Sequence, residues 1–262
     1  MSGSRLSLWG MQTDIAWEDP RANFSRIEAQ LAEGPAPQEG TLLVFPELAT
    51  TGFTMNTAVS LEAREGESAQ FFSQLARRYR SYVLAGLAAP GDHAGAAANE
   101  AVCYGPDGKE CARYRKRRPF PLAQEAQHYE AGQRAVVFEI EGWKVAPLIC
   151  YDLRFPELFR EAVALGAELF VVIANWPQAR VDHWTTLLRA RAIENLAYVL
   201  GVNRAGSDPK LSYPGASLLV GPKGEVLAEA GAAPGVLRGV IEHEPLEQWR
   251  RDFPALEGLH GL

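Results

Sequence analysis

A chain of 262 residues, 47% hydrophobic and 22% charged, has the balance of a globular protein whose folding buries roughly three-quarters of the surface exposed by its unfolded chain. Its net charge of −6 argues against nucleic acid and against an anionic membrane as partners, since both recruit clustered Lys and Arg to displace counterions. No stretch reaches the ~18 apolar residues of a membrane-spanning helix and the N-terminus lacks the charged and apolar regions of a signal peptide, while three scattered cysteines make no disulfide framework; a reduced, cytoplasmic protein is expected.

Taken in chain order, the hydrophobic pattern predicts a strand over 7–12, a helix over 20–33, a strand over 41–46 and a helix over 66–80. Strands follow over 82–88 and 99–105, then a strand at 144–150, a helix at 156–166, a strand at 168–175, a helix at 182–197 and strands at 198–205 and 217–222. Pro156 suits a first helical turn and Asp182 a helix cap. Turn signals at 104–108 and 221–224 imply antiparallel hairpins. No linker or repeat interrupts the chain, so one domain over 1–262 is expected, of class α/β, with helices covering a sheet or a pair of packed sheets. Residues 242–262, charged and aromatic but weakly periodic, read either as a C-terminal arm packing on a partner subunit or as a frayed tail.

Functional side chains of α/β folds collect where strands end. Three predicted strand ends carry such groups here: Glu47, Cys150, and the pair Asn175 and Trp176. A free thiol is only ~3% thiolate at pH 7, so Cys150 needs a base or a positive environment to act as a nucleophile. A strand turning toward the helix at Pro156 offers helix N–H groups to the thiol and to an oxyanion, the logic of a nucleophile elbow. Otherwise Cys150 is a small apolar residue closing a strand. None of the five histidines ends an apolar strand. Glu47 is the better placed base, because desolvation raises a carboxylate toward neutrality. Lys116 can supply positive charge. Each also has a structural alternative: Glu47 as a helix cap, and Lys116 as one cation in the solvated basic run Arg113 to Arg118.

Three blocks, FPELATTGF (45–53), YRK (114–116) and LICYDLRFPE (148–157), occur in the order of the glutamate, lysine and cysteine blocks of the nitrilase superfamily of carbon-nitrogen hydrolases, which the whole chain resembles. ANWP (174–177), RARAIEN (189–195) and VNR (202–204) extend the resemblance. It implies an αββα sandwich, a Glu47, Lys116 and Cys150 triad, no metal, no organic cofactor and a homodimer. By similarity Glu125 matches a second glutamate that orients substrate and lysine. The stretches 47–55 and 150–156 are most similar to the omega-amidase group, which implies 2-oxoglutaramate or 2-oxosuccinamate as substrate, with water as acceptor. Tyr151, Arg154, Asn175 and Trp176 are then expected beside the substrate, and Arg154 or a basic neighbour of Lys116 is expected to read its carboxylate. Nitrile hydrolysis, another short aliphatic amide and a non-catalytic scaffold are the alternatives. The chain departs from the common Lys-x-His-Leu-Phe at Arg118 and Pro119, which are the first suspects for a reshaped pocket.

Overall fold

A computed structural model describes residues 5–93 and 95–259, so residues 260–262 of the expected arm lie outside the described residues. The first half forms β1 (Arg5–Gln12), α1 (Pro20–Ala32), β2 (Leu42–Val44), α2 (Thr57–Ser60), α3 (Glu67–Tyr79), β3 (Tyr82–Pro90), β4 (Ala97–Tyr104) and β5 (Glu110–Arg115). The second forms β6 (Phe138–Ile140), β7 (Trp143–Ile149), α4 (Pro156–Ala164), β8 (Leu169–Ala174), α5 (Val181–Asn195), β9 (Tyr198–Asn203), β10 (Ala205–Ser207), β11 (Ser212–Pro214), β12 (Leu218–Val220), β13 (Val226–Glu229), β14 (Gly235–Glu242) and α6 (His243–Asp252).

Two six-stranded sheets result, ordered β14-β1-β2-β3-β4-β5 and β13-β12-β9-β8-β7-β6. Each has three adjacent parallel strands, β1 to β3 in one and β7 to β9 in the other, flanked by antiparallel ones. Alternation along β8 explains the layering. Leu169, Val171 and Ile173 enter the core between the sheets, with Leu8, Val44 and Leu84 from the opposite sheet. Phe170, Val172 and Ala174 point the other way, onto Phe159 of α4 and Leu188 of α5. Both faces of the strand are therefore buried, which is why it reads as an unbroken apolar run. On the far side Leu43 and Val83 pack against Ile27 of α1 and Phe72 of α3. The layers are helix, sheet, sheet, helix, as expected.

Asp19 caps α1 by accepting from Ala22 N at 3.0 Å, and Pro156 opens α4. Asp182 does not cap α5: the helix starts one residue earlier, with Arg180 at the cap position, and Asp182 lies in its first turn. The basic run is no solvated patch. Its first half is β5, where Arg113 and Arg115 pair with the buried carboxylate of Glu100. The strand 198–205 is split, because Arg204 leaves the ladder between β9 and β10. Strand β14 had no counterpart in the predicted elements, since its burial follows no clean alternation. Residues 243–252 pack on this chain as α6. Leu246 is buried in the central core, His243 stacks on Trp143 with ring centroids 3.6 Å apart, and Arg250 donates to the carbonyls of Leu196 and Ala167.

Candidate active site

Residues just past the carboxyl ends of β2, β5, β7 and β8 converge: Glu47, Lys116, Cys150 and Asn175. Backbone geometry sets the two turns that matter most. Gly86 of β3 lies against the Glu47 turn so closely that a Cβ there would stand 2.5 Å from Glu47 Cα and 2.6 Å from Leu48 N. That approach is stitched by Gly86 N to Pro46 O at 3.1 Å and Ala49 N to Gly86 O at 2.9 Å. Cys150 has φ of 47°, a left-handed conformation that a non-glycine residue adopts only where its surroundings impose it. It begins a 3-10 turn, Cys150–Arg154, between β7 and α4. The thiol thus sits on a turn off the strand end, as the elbow logic requires, but six residues ahead of the α4 start.

Glu47 is fully buried and saturated. Its Oε1 accepts from Lys116 Nζ and from Asn99 Nδ2, each at 2.8 Å. Its Oε2 accepts from the Asn175 backbone N–H at 3.0 Å. The second glutamate joins the same cluster: Glu125 Oε2 lies 2.9 Å from Lys116 Nζ and accepts from Phe120 N at 2.6 Å, while Oε1 accepts from Asn99 at 3.0 Å. Burial works against the Lys116 ammonium, but the charges of Glu125 and Glu47 outweigh it and hold the pKa above the ordinary lysine range. Lys116 also lies over the Phe53 ring, 5.0 Å from its centroid.

Burial pushes the Cys150 thiol well above its usual range, with the Glu47 charge adding to the rise and Lys116 opposing it. The turn therefore does not deliver the standing thiolate that a helix N-terminus suggested. Chemistry at this sulfur calls for a base that takes the proton as attack occurs, and Glu47 is the carboxylate whose charge bears on it most, while the thiol itself faces the Asn175 carbonyl at 4.0 Å.

Above the cluster opens a cavity of about 660 Å³ whose lining includes Cys150, Tyr151, Arg154, Asn175 and Trp176. Four of the five expected substrate neighbours thus share the cavity wall with the thiol. Glu125 instead lies beneath, on Lys116. Phe53, Phe120 and Trp176 make the wall apolar, and Phe120 packs edge-on to Tyr151 at 5.2 Å. Arg154 stacks 4.9 Å from the Trp176 ring and meets His183 Nδ1 at 3.1 Å. Arg180 and Lys210, which sequence reasoning missed, line the same cavity. No ion pair involves Arg154, Arg180 or Lys210 among the described residues, while the lining carboxylates Glu18 and Asp208 are engaged by neutral donors such as Asn56 and Tyr213.

The basic neighbours of Lys116 are paired with carboxylates of this chain and lie outside the cavity lining. Arg115 pairs with Asp92 and Glu100, Arg117 with Glu161, and Arg118 with Glu157 while lying over Phe155. Neither Arg118 nor Pro119 lines the cavity; Phe120, the next residue of that block, does. Sequence reasoning also passed over Asn99, Tyr114 and Asp152. Asn99 bridges both glutamates from the start of a predicted strand, a polar residue at a buried strand position being the available signal.

A paired glutamate and lysine beside a turn-borne cysteine, set at strand ends of an αββα sandwich, defines a class, and the comparison bears it out: residues 5–251 match the carbon-nitrogen hydrolase family model, and the chain belongs to that family. It is 37% identical over 257 residues to the omega-amidase YafV of Escherichia coli K12, covering 97% of this chain and 96% of that protein. It is 34% identical over 250 residues to the 2-oxoglutaramate amidase of Bacillus subtilis 168, covering 95% of each. Among solved structures, the CN-hydrolase superfamily protein XC1258 of Xanthomonas campestris, with an arsenic adduct in its active site, superposes with a TM-score of 0.90 at 32% identity, over 98% of this chain and 97% of that one.

Proposed function

We propose that the protein hydrolyses the terminal carboxamide of a short acid, in the manner of an omega-amidase, through a thioester on Cys150. Glu47 takes the thiol proton as sulfur attacks the amide carbon. The tetrahedral oxyanion is held by Lys116 and by the backbone N–H that follows Cys150, and the glutamic acid then protonates the departing ammonia. Water activated by Glu47 cleaves the thioester and releases the carboxylate. Asn175, a residue of the cavity wall, keeps its buried Oδ1 without a hydrogen-bond partner among the described residues.

The observation that carries this function is the joint placement of a base-flanked thiol and unpaired cations in one cavity. A carboxylate on the substrate's far end complements Arg154, with Arg180 and Lys210 adding to the field. The two amidase relatives favour the same substrate class, 2-oxoglutaramate first. We place the enzyme in the cytoplasm as a homodimer, to be checked by fractionation and by sedimentation.

Ammonia release from 2-oxoglutaramate, glutamine, propionamide and propionitrile tests the assignment. Release confined to the keto-acid amide is expected; equal rates on propionamide would remove the carboxylate-reading role, and acid formation from the nitrile would favour a nitrilase.

A further inference from the structure

Two residues beyond the thiol, Asp152 is fully buried and accepts four hydrogen bonds. Its Oδ2 takes Ile149 N at 3.0 Å and the Tyr114 hydroxyl at 2.8 Å. Its Oδ1 takes Arg117 N at 3.2 Å and Arg118 N at 2.9 Å. One oxygen thus closes the turn that holds Cys150 at its left-handed φ, and the other grips the two residues that follow Lys116. Upstream, Lys116 N is tied to Asn99 O at 2.9 Å, so the lysine is fixed from both sides.

We propose that Asp152 is a positioning residue, a single carboxylate brace that holds the Cys150 turn and the Lys116 loop in one register. The brace acts through those two groups and rests on the catalytic roles given to them above. All four of its partners are donors, so only a group with two acceptor oxygens satisfies them. An asparagine would turn a donor toward donors on one side and release either the turn or the loop.

The brace is pH-sensitive. Burial pushes the Asp152 carboxyl up to about 6, against the Ile149 N–H, the Lys116 ammonium and the Tyr114 hydroxyl, which all favour the charged form. Tyr114 and Lys116 are the titratable groups facing it from β5 and the loop beyond. Arg117 and Arg118 present backbone N–H groups only, their guanidinia being paired with Glu161 and Glu157. Protonation converts an acceptor into a donor, so the brace is intact above about pH 6 and loosens below it.

Asp152→Asn and Tyr114→Phe, made in the full chain, test this. For Asp152→Asn, kcat is expected to fall roughly 10²-fold with a much smaller change in KM, as for a misplacement of about 1 Å. In Tyr114→Phe, removing a hydrogen bond that lowers the Asp152 pKa moves the acid limb of kcat to higher pH, an effect that mere loss of packing does not produce, and this variant decides the matter if Asp152→Asn does not fold. A crystal structure of Asp152→Asn gives a readout without substrate, with Cys150 leaving its left-handed φ or Lys116 Nζ drawing away from Glu47. The proposal is overturned by an acid limb unmoved in Tyr114→Phe, by kcat of Asp152→Asn within threefold of wild type, or by unmoved Cys150 and Lys116 in the Asp152→Asn structure. Absence of any amidase activity in wild type would instead sink the proposed function, and the crystallographic arm would still decide the brace.

Discussion

Asn175 holds Glu47 at two points, donating from Nδ2 to the Glu47 carbonyl at 2.6 Å and from its backbone N–H to Oε2 at 3.0 Å. The contact spans 128 positions in sequence and joins the end of β8 in one sheet to the turn after β2 in the other, so the base is positioned by the stacking of the two sheets. Asn175→Ala removes the first bond and leaves a buried carbonyl unmet, at a cost of about 1–3 kcal/mol in stability. The backbone bond survives, so kcat is expected to drop by roughly tenfold rather than vanish. Thermal melts and steady-state kinetics check both values.

Gly86→Ala should impair the enzyme although Gly86 touches no substrate. The new Cβ meets the main chain at Glu47 and Leu48, which cannot rotate out of the way. A displacement of Glu47 on the order of 1 Å lowers kcat about 10²-fold, and KM for 2-oxoglutaramate is expected to change far less.

Lys116 pairs with two buried carboxylates at once, at 2.8 and 2.9 Å. Lys116→Met leaves both uncompensated and is expected to cost about 3–5 kcal/mol in stability. Adding Glu125→Gln to that variant removes one of the stranded charges and should recover much of the loss without restoring turnover. Urea denaturation of the single and double variants makes the comparison.

Thiol reactivity and turnover should part company in Glu47→Gln. The Glu47 charge raises the Cys150 pKa, so its removal lowers it. Alkylation of Cys150 by iodoacetamide then reaches its half-maximal rate at lower pH than in wild type. Turnover falls by about 10²–10⁴, the usual contribution of a positioned base. A rise in the alkylation midpoint would contradict the electrostatic assignment.

Much of this site was legible because strand-end chemistry and local motif coincide: Glu47, Cys150 and Asn175 each follow an apolar run at once, and the run marks the strand. The parallel core strands were readable for the same reason, both their faces being buried. Strand β5 was not, because its alternating arginines are satisfied by Glu100, a partner on a neighbouring strand that no local pattern announces. Asn99 escaped notice likewise, since its worth lies in two glutamates brought from elsewhere in the chain. Arg180 and Lys210 reach the cavity through turns whose tertiary position carries no periodic signal. The elevated Cys150 pKa followed from burial, which adjacency to Pro156 could not convey.

Ammonia release by Cys150→Ala, with 2-oxoglutaramate as substrate and a thermal melt to establish equal folding, tests the thioester mechanism most directly. A folded variant with turnover reduced to the uncatalysed background is the predicted result. A folded variant that still releases ammonia at a substantial fraction of the wild-type rate would mean that the sulfur is not the nucleophile.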